Sequence, residues 1–79
     1  RVSSIPADAL RRLGEGDLQA IETFLERRLD MTLEVRQSLA TRLVASTSAR
    51  MHVLPSTTMH PETFLEEVAY GVRSLGRLR

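Results

Sequence analysis

One tight break inside an otherwise continuous amphipathic pattern does most to limit what this chain can become. Residues 24–44 read FLERRLDMTLEVRQSLATRLV. Leu18, Ile21, Leu25 and Leu29 recur at three-and-four spacing before the break, and Val35, Leu39, Ala40, Leu43 and Val44 resume it afterwards. Asp30-Met31-Thr32 between them is too short for more than a turn. Two helices joined so closely must fold back on each other as an αα-hairpin, with Thr32 placed to cap the second. Phe24 widens the apolar arc of the first to about 140°, enough to touch two neighbours and to put this helix at the centre.

The flanking segments supply two more helices. Ser4 is a suitable N-cap and Pro6 a suitable first-turn residue for a short helix over about residues 6–13, which Gly14-Glu15-Gly16 ends. Asp17 then caps the helix over 17–29, and the next covers 32–51. In its second half Ser46-Thr47-Ser48 offers hydroxyls that compete for backbone groups, which favours fraying or bending. Residues 52–60 have loop composition around Pro55. Pro61 and Glu62 open a final helix to about residue 75, where Phe64, Leu65, Val68, Ala69, Val72 and Leu75 form one stripe and Gly71 marks a close helix contact. Gly76 begins a basic tail with Arg77 and Arg79.

The expectation is an all-α, four-helix, bundle-like single domain spanning residues 1–79, cut from a longer chain. Its core takes Leu10 and Leu13 from the first helix and Leu18, Ile21, Phe24, Leu25 and Leu29 from the second. The third contributes Val35, Leu39 and Leu43, and the fourth Phe64, Val68, Val72 and Leu75. A chain of 79 residues buries only about 60% of its unfolded surface, so this core is thin.

Charge excludes more than it selects. Eleven Arg, no Lys and ten carboxylates leave a net charge of +1, too small a field to gather nucleic acid or anionic lipid. The absence of Cys removes disulfides and thiolate chemistry and fits the cytoplasm. Nothing approaches the ~18 consecutive apolar residues of a membrane span. The pairs Met51-His52 and Met59-His60 carry metal-ligand types, but no carboxylate stands at ligand spacing beside them. Ser56 with His52 or His60 lacks a nucleophile-elbow context and a third member. These patterns imply no enzyme, cofactor, metal or small-molecule substrate.

Two surface readings compete. Helix, turn and helix over residues 18–44, with Arg36 and Arg42 on the second helix, has the order of a DNA-binding helix-turn-helix. Glu22, Glu26 and Glu34 interleave with those arginines, so a solvated mixed-charge face is preferred and nucleic acid is the alternative. The other reading is a protein-interaction or regulatory module. Its candidate surface is Phe24, Arg27, Arg28, Tyr70, Arg73 and Arg77: either a core this small leaves Phe24 and Tyr70 as aromatic anchors, or Phe24 completes the core and Tyr70 is a half-exposed surface aromatic. Arg27 and Arg28 also complement a helix C-terminus. The tail arginines can lie near an anionic membrane surface, with Glu66 and Glu67 close by.

The same run resembles the soluble segment that follows the membrane portion in bacterial RDD-family membrane proteins. There a helix ends in FL-x-RR and the next carries R-x-x-LA-x-RL. The matching residues are Phe24, Leu25, Arg27 and Arg28, then Arg36, Leu39, Ala40, Arg42 and Leu43. The last helix is similar to that family's closing helix through Phe64, Leu65, Glu66 and Arg73, so the likeness covers somewhat over half the chain. Leu33 departs from it, standing where a first-turn Pro is usual. The Arg and Asp residues that name the family belong to membrane helices outside this segment, and no transport residue carries over. The resemblance implies a cytoplasmic accessory module at the inner face of the membrane. Its partner is then protein, either a second copy or the membrane-embedded portion of the parent chain.

Overall fold

Thr32 caps a helix, as its place after a short turn requires: its hydroxyl accepts a hydrogen bond from the Val35 N–H at 3.3 Å. The computed structural model describes residues 5–54 and 59–77, with side chains to residue 75. These residues form α1 (Ala7–Leu10), α2 (Glu15–Arg27), a 3-10 turn (Arg28–Asp30), α3 (Leu33–Met51) and α4 (Pro61–Arg77). Among the described residues there is no strand, and the fold is the expected small all-α bundle.

Several boundaries differ from the sequence pattern for local reasons. α1 is a single turn, with Arg12 and Leu13 continuing only as 3-10-type turns onto the Ala9 and Leu10 carbonyls. Pro6 is its N-cap, and Ser4 lies outside the described residues. α2 starts at Glu15, two residues before the expected cap Asp17. Asp17 instead occupies the third helical position and accepts a hydrogen bond from the Gly14 N–H at 2.9 Å. That is half of a capping box, which lets glycine serve as the cap. α2 tightens into the 3-10 turn at Arg28 rather than continuing to Leu29. α3 runs unbroken through Ser46-Thr47-Ser48 because Thr47 and Ser48 are buried by packing, although the Ser48 hydroxyl has no hydrogen-bond partner. His52, in the left-handed conformation, closes α3. α4 continues past Gly76 to Arg77.

Ion pairs fix how the helices run. Asp17 at the start of α2 meets Arg50 at the end of α3 at 3.1 Å, so the hairpin is antiparallel. At about 1.5 Å per residue, a right-angled crossing at the turn would hold those ends some 30 Å apart. Arg28, just past α2, meets Glu62 in the first turn of α4, and Arg73 near the end of α4 meets Glu22 on α2. α4 is therefore antiparallel to α2 as well. It packs on α1, α2 and α3, and so takes the central place expected for α2. Its pattern allows this: Leu65 and Val68 are fully buried and Phe64 and Ala69 nearly so.

The core joins those four to Ile21, Phe24, Ala40, Met51, Ala9 and Leu10. Leu13, Leu18, Leu25, Leu39, Leu43, Val72 and Leu75 pack against its edge, half-buried. Two expected core residues lie outside. Leu29 is 81% exposed and Val35 48%, because the 3-10 turn rotates Leu29 off the α2 stripe and Val35 is turned about 100° around α3 from Arg36, the residue that faces α4. Gly71 sits where α1 crosses α4, and a Cβ there would stand 2.6 Å from Leu10 Cδ1. The close approach read from the sequence is therefore real, and its partner is Leu10.

Candidate functional site

Two constellations stand out, one polar and inward, one apolar and open. In the first, Glu62 reaches two arginines from different elements. Its Oε1 accepts from Arg28 Nη1 at 3.1 Å and from Arg36 Nη2 at 2.7 Å, while its Oε2 accepts from Arg36 Nε. Arg28 Nη2 also donates to Glu66. Glu62 is a buried carboxylate with a side chain only 8% exposed. The hydrogen bonds from Arg36 hold its pKa below the ordinary carboxylate value; burial works the other way, and the charges of Arg36 and Arg28 reinforce the lowering. The Arg36 pKa is raised by the same contact. The cluster clasps the first turns of α3 and α4 to the end of α2.

His60 adds to this terminus. Its Nδ1 accepts a hydrogen bond from the Glu62 N–H at 3.2 Å, so one ring nitrogen is occupied in satisfying a free helix donor. Among the described residues, no group of three or more His, Asp or Glu side chains converges as a metal site would need.

The second constellation is an apolar groove of about 310 Å³ between α2 and α3, lined by Ala20, Thr23, Phe24, Arg27, Met31, Leu39 and Leu43. Helix spacing builds it. Ala20, Thr23, Phe24 and Arg27 are at i, i+3, i+4 and i+7 on α2, and Leu39 and Leu43 are one turn apart on α3. The small side chains of Ala20 and Thr23 keep the α2 wall low.

The expected surface residues are thus divided. Phe24 is not an exposed anchor: at 4% exposure it completes the core and floors the groove with what remains. Arg27 lines the groove, whereas Arg28 and Arg73 are drawn to carboxylates of neighbouring helices. Tyr70 is 37% exposed on α4. Arg77 lies in the last turn of α4, and its side chain is outside the described residues. Arg36 is turned onto Glu62, while Arg42 remains exposed. The spacing places Met31 in the turn and Leu39 and Leu43 in the core, and so does not reveal them as groove residues. The visible signal was Ala20 and Thr23, two small residues continuing the Phe24 side of α2.

Among the described residues, no helix is long and apolar enough to cross a membrane. Comparison with protein-family models, with curated proteins and with solved structures returns no match to this chain.

Proposed function

We propose that this domain is a non-enzymatic protein-interaction module that docks a partner in the α2–α3 groove. The observation that carries the reading is the groove itself, an open apolar concavity lined by Phe24, Leu39 and Leu43. The resemblance of residues 24–44 to the soluble segments of RDD-family membrane proteins supports a cytoplasmic accessory role beside a membrane transporter, with the partner supplied by the rest of that assembly.

The geometry weighs against nucleic acid. A helix-turn-helix crosses its two helices at about 90–120°, whereas α2 and α3 are antiparallel along their length. Arg36, which that reading needs in the DNA groove, is held by Glu62. Titration of the domain with nonspecific duplex DNA at low salt is expected to give a flat response. A steep salt-dependent isotherm, weakened by Arg42→Ala, would replace this reading with the nucleic-acid one.

A further inference from the structure

Among the described residues, α4 covers one face of the α2–α3 pair, and α1, a single turn, packs on α4. The other face keeps its groove open, with Leu39 and Leu43 only half-buried. Exposed apolar residues continue past its Met31 end. Leu29 and Leu33 are both largely exposed, and each stands two residues, at most about 7 Å, from Met31. With Val35, they are three of the five large apolar or aromatic side chains exposed among the described residues, all within residues 29–35. Charge beside the groove is of both signs. Arg27 lines it, and Glu26 and Glu34, both exposed, stand next to it. Neither Arg27 nor Glu34 forms an ion pair within the chain among the described residues. So balanced a patch has no field that selects an anionic surface or a strongly charged partner. It does fit its own copy, because two-fold symmetry sets residue i against j and j against i, and one match of opposite charges is made twice.

Building on the docking reading above, we infer that the groove is closed by a second copy of this chain, α2 of each copy lying over α3 of the other about a two-fold axis parallel to the helices. α2 ends at Arg27 and α3 begins at Leu33, at the same end of the hairpin. This axis therefore sets Arg27 level with the first turn of the other copy's α3, which holds Glu34. It also gathers Leu29 and Leu33 of both copies at one end, where each copy covers apolar surface of the other. A two-fold axis across the helices would send the two turns to opposite ends and leave those leucines in water. The product is two helical hairpins face to face, each covered on its outer side by its own α4.

The test is sedimentation equilibrium of the 79-residue chain from about 1 μM to 1 mM, with backbone amide shifts followed over the same range. A dimer that dissociates at micromolar concentrations is expected, since a groove and a turn bury a small area. Its shifts should centre on Ala20, Thr23, Met31, Leu39 and Leu43. Arg27→Glu alone and Glu34→Arg alone each set like charges together twice, and each is expected to weaken the dimer about tenfold. Mixed in equal amounts, the two variants are expected to recover the parent's affinity, because each copy then offers the opposite charge to the other. Both keep the parent's urea midpoint, since neither side chain is paired within the fold. Thr23→Arg, at an exposed position of the groove wall, is expected to abolish the dimer. A chain still monomeric at about 1 mM would overturn the second copy as occupant while leaving the docking reading in place. So would a dimer that keeps its affinity in Thr23→Arg, or variants that stay apart when mixed. The docking reading itself fails by a separate result, the absence of any protein crosslinked to position 23 in the cell.

Discussion

Leu65→Ala is expected to remove most of the domain's stability, while Leu29→Ala, the same chemical change on a residue of the same α2 pattern, leaves it within about 0.5 kcal/mol of the parent. Leu65 is fully buried in the second turn of α4, the helix on which the other three pack. Truncating a buried leucine costs about 2–5 kcal/mol in lost transfer energy and residual cavity. A domain of this length has only about 4–12 kcal/mol in total. Leu29 is 81% exposed and has little burial to lose. Urea unfolding of both variants measures the difference, with the midpoint moving for Leu65→Ala at an unchanged slope. A loss below about 1 kcal/mol at Leu65 would show that α4 is not the centre of the core.

The second large effect falls on Glu62. Removing it as Glu62→Ala leaves two guanidinium groups facing each other at the junction of α2, α3 and α4. Breaking a fully buried pair costs about 3–5 kcal/mol; here about 2–3 kcal/mol is expected, since Arg28 and Arg36 are only partly buried and can turn to water. The pH dependence follows from the direction of the shift. The folded-state pKa of Glu62 is lowered, so the folded state favours the carboxylate and its contribution is complete above the ordinary glutamate value of about 4.3. It is lost as pH falls from there through the folded pKa. Urea midpoints measured from pH 7 down to pH 3 are expected to fall more steeply in the parent than in Glu62→Gln, which has no charge to lose. Parallel curves would contradict the cluster's role in stability.

What was legible in the sequence is what local periodicity encodes. The number of helices, the tight hairpin, the Thr32 cap, the first-turn Pro61 and the close approach at Gly71 all follow from spacing and backbone chemistry within a few residues. What was not legible depends on contacts distant in sequence. Glu62 reads locally as a carboxylate favoured by a helix N-terminus, and its attachment to Arg28 and Arg36 spans 34 and 26 residues. Phe24 reads both as core and as an arc-edge aromatic that a small core could leave uncovered, and its burial in the structure decides for the first. Leu29 and Val35 fit a helical stripe that the 3-10 turn interrupts, and three or four residues of pattern cannot reveal that the turn will tighten. The groove eluded the same reasoning, because an apolar stripe on α3 has the same spacing whether it faces a core or an opening.

Thr23 provides the most direct view of whether the α2–α3 groove is where this domain meets protein. Its side chain is exposed at the groove wall, and replacing it with a photo-crosslinking phenylalanine analogue in the native cell reports what lies over the groove. Gln37, exposed on α3 about 160° around the helix from Leu39 by wheel arithmetic, serves as the control position. The expected result is a discrete crosslinked protein product from position 23, abolished by Leu39→Glu in the groove wall, with none from position 37. Crosslinking to nucleic acid from position 23, or equal yields from both positions, would contradict the docking of protein in this groove.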